Sequence, residues 1–247
     1  MVNRIPVIVA LDVPTAEEAV RLARAVAEHV GGFKIGLGLL HGPGPATINA
    51  LAEIGRPVFA DAKLHDIPSQ VEAAAERLGK WGARWVTTHL SGGEKMVRAA
   101  VEGLARGSGG LSGILGVSVL TSLDEADLRS VGIAATPGKL VSRMARVADR
   151  AGCEGVVCSP RELGIVGDVA PRLIRVTPGI RPLGGLGGGV DDQARVATPQ
   201  AALSHGATWL VVGRPITQAA DPVEAAAALA SGLAELPGSE NREPPRE

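Results

Sequence analysis

Short β-branched runs alternate with Ala-rich stretches from residue 5 to about residue 230, and this rhythm limits the fold more than any other feature of the chain. The runs are IPVIVALD (5–12), FKIGL (33–37), PVFADAK (57–63), WVTTHL (85–90), ILGVSVLTS (114–122), GVVCS (155–159), LIRVTPGI (173–180) and WLVVGRP (209–215). Helical segments lie between them, including TAEEAVRLARAVAEHV (15–30) and PSQVEAAAERLGKWG (68–82). Thr15, with Glu18 three residues on, forms a capping-box signature at the start of the first. About eight β/α units in one chain of this length is the arithmetic of a closed (β/α)₈ TIM barrel. A doubly wound sheet is the alternative. Against it, ALDVPT follows the first strand where a Gly-rich dinucleotide fingerprint would stand.

The expected unit is a single α/β domain over residues 1–236, with a disordered polar, Pro-rich tail at 237–247. The stretch GLARGSGGLSG (103–113) reads as a loop between a helix and a strand.

Composition removes several classes of function. The net charge is −1, aromatics make up 2 % of the chain, and there is no Tyr, so stacking platforms are few, there is no basic excess, and nucleic-acid binding is not expected. No apolar run reaches membrane-spanning length. The apolar N-terminal run ends at Asp12 with no signal-type cleavage site after it, which points to a cytoplasmic protein. Cys153 and Cys158 flank a predicted strand and read as free core thiols.

Barrel enzymes build their sites at the C-terminal ends of the strands. Those ends carry Asp12, Lys34, Asp61 with Lys63, His89, Thr121 with Ser122, Ser159, Arg181 and Arg214. Strand side chains alternate, so Asp61 and Lys63 should share the inner face while Val58, Ala60 and Ala62 face the helices. Lys34 ends the neighbouring strand and can join them. Two lysines and one carboxylate call for a second carboxylate. Asp66 is near, but its parity is wrong, and Ile67-Pro68 then opens a helix. Asp66 therefore either curls back through the turn or serves another site, such as a partner subunit's. Lysine suits a catalytic acid because its neighbours readily tune it. A structural ion pair at a strand end is the plainer reading of Asp61 and Lys63.

A second region, VTPGIRPLGGLGGGVDDQARVATP (176–199), sets Arg181 before a loop with glycines at 184, 185, 187, 188 and 189. The last strand ends in Gly213-Arg214. Barrels often bind phosphate after their seventh and eighth strands, where a backbone N–H and a guanidinium suit a dianion. His89 reads as a core histidine at the mouth, and His65 as packing or capping near the turn. Five scattered histidines offer no ligand spacing, so no metal is expected.

These residues match a known pattern. The chain resembles the orotidine 5′-phosphate decarboxylase family through VALDVP (9–14), FKIG (33–36), DAKLHDIP (61–68), SVLTS (118–122), VTPGIR (176–181), DQARVATP (192–199) and VVGRPI (211–216), in the family's order. The resemblance implies a homodimeric barrel that needs neither metal nor organic cofactor. It implies a catalytic array of Lys34, Asp61, Lys63 and Asp66, with Asp66 contributed across the dimer interface. It places Asp12 and Lys34 at the ribose, Thr121 and Ser122 at the pyrimidine, and Arg181, Gln193, Gly213 and Arg214 at the phosphate, and it adds Ile67 to the substrate-binding set. One departure is Gln70, where the family commonly has Thr. Sister sugar-phosphate enzymes share the Asp-x-Lys-x-x-Asp core but use Mg²⁺ and follow it with Ala-Gly, whereas Ile67-Pro68 follows here. A phosphate-ligand sensor on the same barrel is the reading from another class.

Overall fold

The structure is a computed structural model that describes residues 5–181 and 197–234. Eight parallel strands close into a barrel in sequence order: β1 (Val7–Ala10), β2 (Gly32–Ile35), β3 (Val58–Leu64), β4 (Trp85–His89), β5 (Gly113–Val117), β6 (Gly155–Val157), β7 (Ile174–Thr177) and β8 (Trp209–Val212). Closure comes from the pairing of β1 with β8, where Val9 stands opposite Val212. The helices are α1 (Ala16–Val26), α2 (Leu37–His41), α3 (Ala46–Ala52), α4 (Pro68–Lys80), α5 (Gly93–Ser108), α6 (Glu125–Ser130), α7 (Pro137–Ala151), α8 (Leu163–Val169), α9 (Pro199–Ser204), α10 (Arg214–Thr217) and α11 (Pro222–Ala234). The barrel expected from the strand rhythm is thus the observed fold. The proposed tail at 237–247 lies outside the described residues.

Two apolar layers hold the fold together. The outer one joins the strands to the helices and contains Phe33, Ile35, Val58 and Ala60 with Ala19, Ala23, Val71 and Ala75. The inner one fills the barrel with Ile8, Phe59, Trp85, Leu115, Ile174, Val176, Trp209 and Val211. Trp85 and Trp209 meet edge to face with ring centroids 5.3 Å apart, a geometry that aromatic quadrupoles favour. Small inward residues make room for such bulk. A Cβ at Gly31 would collide with the Trp209 ring, and one at Gly155 with Ile174. Below this plug, Glu154 accepts a two-pronged bond from Arg84 at 2.6 and 2.7 Å and the indole N–H of Trp85 at 2.9 Å. That carboxylate ties the N-terminal ends of β4 and β6 together.

The local signals hold in part. Thr15 Oγ1 accepts the N–H of Glu18 at 3.2 Å, the backbone half of the expected capping box. The reading of 103–113 as a loop is corrected, because α5 runs on to Ser108. Gly103 and Gly107 are packing glycines rather than loop glycines. A Cβ at either would strike the backbone carbonyl of Glu72 or Glu76 on α4, so α4 and α5 lie backbone against backbone. Helix packing has overridden the turn signal here. Both cysteines are free and buried, and burial raises both thiols, Cys153 to about 12.

Candidate active site

The inner faces of the first four strands converge on one cluster at the C-terminal mouth. On β1 the inward series continues from Ile8 and Ala10 toward Asp12, and β2 presents Lys34, since Phe33 and Ile35 belong to the outer layer. On β3 Asp61 follows Phe59 inward, and on β4 Thr87 follows Trp85. Lys34 is buried, at 8 % exposure. Its Nζ bonds Asp12 Oδ1 at 3.0 Å and stands 4.0 Å from Asp61 Oδ2. The same Asp61 oxygen accepts Lys63 Nζ at 2.7 Å. Gly36 leaves room for this: a Cβ there would lie 3.2 Å from Asp12 Oδ1 and 3.3 Å from Lys34 Nζ. A buried ammonium needs partners of this kind, because an unpaired one would be costly to desolvate.

The expected alternation on β3 holds: Val58, Ala60 and Ala62 pack on the outer layer, and Lys63 meets Asp61 on the inner side. The backbone that achieves this is not a regular strand. Lys63 has φ +48°, and the β3–β4 register shifts between Ala60 and Leu64. The bulge sets the lysine's backbone in the left-handed region, at a conformational cost of roughly 1–2 kcal/mol for a residue with a Cβ. Within this chain the carboxylate that joins Asp61 at Lys34 is Asp12. Asp66 is exposed and its Oδ1 accepts its own chain's Ile67 N–H at 2.6 Å. His65 through Gln70 form a run of exposed residues, with Ile67 at 62 % exposure.

Thr87 was not among the sequence candidates. Its hydroxyl donates to Asp61 Oδ1 at 2.9 Å and accepts the backbone N–H of Lys63 at 2.9 Å. The available signal was its parity with Trp85 and His89 on β4. The His89 ring lies 5.4 Å from that of His65. Desolvation holds His89 below its usual value, helped by the charges of His65 and Lys63 and opposed by Asp61.

The remaining candidates lie around the rim. Thr121 and Ser122 follow the end of β5 in a turn, half-buried and exposed respectively, rather than on the strand as expected. Ser159 is fully buried, and its N–H bonds Glu162 Oε2 at 2.9 Å, so it belongs to a turn and not to a solvated strand end. Arg181 N–H donates to Ala197 O at 3.0 Å, and Ile180 bridges Ala197, so β7's continuation meets the residues just before α9. Gln193 and the glycines at 184–189 fall outside the described residues. Gly213 follows β8 beside Ala10, and Arg214 opens α10 at the surface.

The chain as a whole matches known proteins over most of its length. A sequence profile described as "Orotidine 5′-phosphate decarboxylase / HUMPS family" matches residues 6–229. The chain belongs to this family. It is 51 % identical over 225 residues to the orotidine 5′-phosphate decarboxylase of Anaeromyxobacter sp. (strain K), a match covering 91 % of this chain and 96 % of that one. It is 47 % identical over 230 residues to that of Thermobifida fusca (strain YX), covering 92 % and 95 %. Among solved structures, orotidine 5′-phosphate decarboxylase from Lactobacillus acidophilus superposes with a TM-score of 0.81 at 34 % identity, covering 92 % of this chain and 97 % of that one.

Proposed function

We propose that this chain is a carboxy-lyase that converts orotidine 5′-phosphate to uridine 5′-phosphate and CO₂, the last step of de novo pyrimidine nucleotide synthesis, in the cytoplasm. The observation that carries this reading is the Lys34–Asp61–Lys63 array at the barrel mouth, in which one carboxylate oxygen faces two ammonium groups. Membership of the family supports it, as do relatives of that name at 51 % and 47 % identity.

In the proposed mechanism the C–C bond to the substrate carboxylate breaks and its electron pair stays on the pyrimidine carbon. Lys63, as an ammonium paired with Asp61, stabilises that charge and gives its proton to the carbon. Asp61 lies beside the departing carboxylate. Lys34 fixes Asp61 from the other side and joins Asp12 at the ribose. Asp66 and Ile67 act in the partner subunit's site, consistent with their exposure on this chain. Thr121 and Ser122 face the pyrimidine. Arg181, Gln193, Gly213 and Arg214 take the phosphate, whose binding energy organises a site remote from it. No step requires a metal or an organic cofactor.

The test is the loss of orotidine 5′-phosphate absorbance with purified protein, before and after dialysis against EDTA. Equal turnover in both is expected. Loss of activity restored by Mg²⁺ would move the reading to a sugar-phosphate enzyme of the same family, and binding without turnover would move it to a sensor.

A further inference from the structure

Residues 61–64 of β3 are out of step with their neighbour. Ala60 pairs with Val86 and Leu64 with Thr88, so four residues of β3 pass two of β4. Such a bulge removes ladder partners from the backbone it displaces. One displaced group is the N–H of Lys63, the single non-Gly residue with positive φ among the described residues. Thr87 stands opposite, with no exposed surface, and its hydroxyl takes that N–H at 2.9 Å. The same hydroxyl sends its own proton to Asp61 Oδ1 at 2.9 Å. A hydroxyl has one proton and two lone pairs, so both bonds form at once. A single oxygen therefore holds the backbone of the lysine and the carboxylate of the aspartate, and Lys63 Nζ meets Asp61 at the other carboxylate oxygen.

We propose that Thr87 is a positioning residue that sets the Asp61–Lys63 geometry by pinning the strained backbone at Lys63. It acts through the two groups its hydroxyl bonds, the Lys63 backbone and the Asp61 carboxylate. Its role rests on the reading of Lys63 as proton donor. Without the hydroxyl, the Lys63 N–H has no acceptor in the bulge and the left-handed turn loses its brace. The lysine then leaves its working position, and misplacement by about 1 Å costs on the order of 100-fold in rate.

The test compares Thr87→Val, which keeps the shape and swaps the hydroxyl for a methyl, with Thr87→Ser, which keeps the hydroxyl. The expected result is a kcat loss on the order of 100-fold for Thr87→Val with KM within about threefold of wild type, and near-wild-type kcat for Thr87→Ser. Amide hydrogen exchange at Lys63 is measured in the same proteins and should be much faster in Thr87→Val than in Thr87→Ser. This second readout does not depend on activity. If the wild type fails to turn over orotidine 5′-phosphate, the functional reading falls while exchange still decides whether Thr87 braces the bulge. Wild-type kcat in folded Thr87→Val, unchanged Lys63 exchange, or equal kcat losses in both variants would overturn the proposal. Should Thr87→Val not fold, Thr87→Ala carries the same comparison, and a 100-fold kcat loss in folded Thr87→Ser overturns it alone.

Discussion

Lys63 Nζ lies 2.7 Å from Oδ2 of Asp61, two positions earlier on the same strand, and reaches it from a backbone at φ +48°. The contact links the proposed chemistry to local strain, a pairing common at functional sites. Replacing Lys63 should separate the two. Both Lys63→Ala and Lys63→Gly are expected to fold and to lose turnover. The left-handed conformation costs a residue with a Cβ roughly 1–2 kcal/mol. Glycine escapes that cost but returns roughly 0.4–1 kcal/mol through the entropy of its unfolded chain. Lys63→Gly should therefore be the more stable by about 0.5–1 kcal/mol, read from paired denaturant melts. Wild-type-like turnover in either folded variant would remove Lys63 as proton donor.

Asp66 accepts the backbone N–H of the following Ile67 and is exposed, and a shared site would give that exposure a purpose. Lys63→Ala and Asp66→Asn are each expected to be nearly inactive. Mixed after dissociation and reassociated in equal amounts, they should recover about a quarter of wild-type activity, because half the dimers are mixed and one of the two sites in each is intact. No recovery, with mixed dimers verified by mass spectrometry, would place Asp66 in its own chain's site.

At the opposite end of the barrel, Glu154 accepts three bonds, from Arg84 and from the buried Trp85 indole. Glu154→Ala leaves the indole N–H and a guanidinium without their acceptor. A stability loss of about 2–3 kcal/mol is expected, with KM and kcat retained because the change lies at the N-terminal face. A drop in kcat that exceeds the loss of folded protein would contradict this division of the barrel.

His89 supplies a pH dependence. Its folded value lies below the usual 6.5, so the unfolded chain binds a proton more readily. Stability from this group is complete above the unfolded value and is lost as pH falls from there through the folded value. Thermal melts should decline below about pH 6.5, and His89→Gln should flatten that part of the profile. An identical acid slope in the variant would assign the decline to other groups.

The thiols offer a simple check of packing. Cys153 and Cys158 are buried, and burial keeps both protonated. Neither should react with a thiol reagent in the native state, and both should react on unfolding. Fast labelling of the folded protein would mean that the outer layer opens locally.

The sequence by itself determined the barrel, because eight apolar runs separated by helical segments leave little else for a chain of this length to form. It also determined that Lys34, Asp61 and Lys63 would stand at one mouth, since strand ends in a closed parallel barrel all point the same way. Tertiary structure decided the rest. The period-2 rule gave Asp61 and Lys63 one face, as observed, but it did not show the bulge seated against Thr87 that holds the lysine's backbone, and a bulge depends on which residue stands across the ladder. Asp12 became the partner of Lys34 because β1 lies beside β2, a pairing across 22 residues that local spacing does not reveal. Gly103 and Gly107 looked like loop residues because a glycine's local preference is for turns, and only the approach of α4 makes them helical. In each case the deciding contact is long-range, while the sequence signals that succeeded were periodic and local.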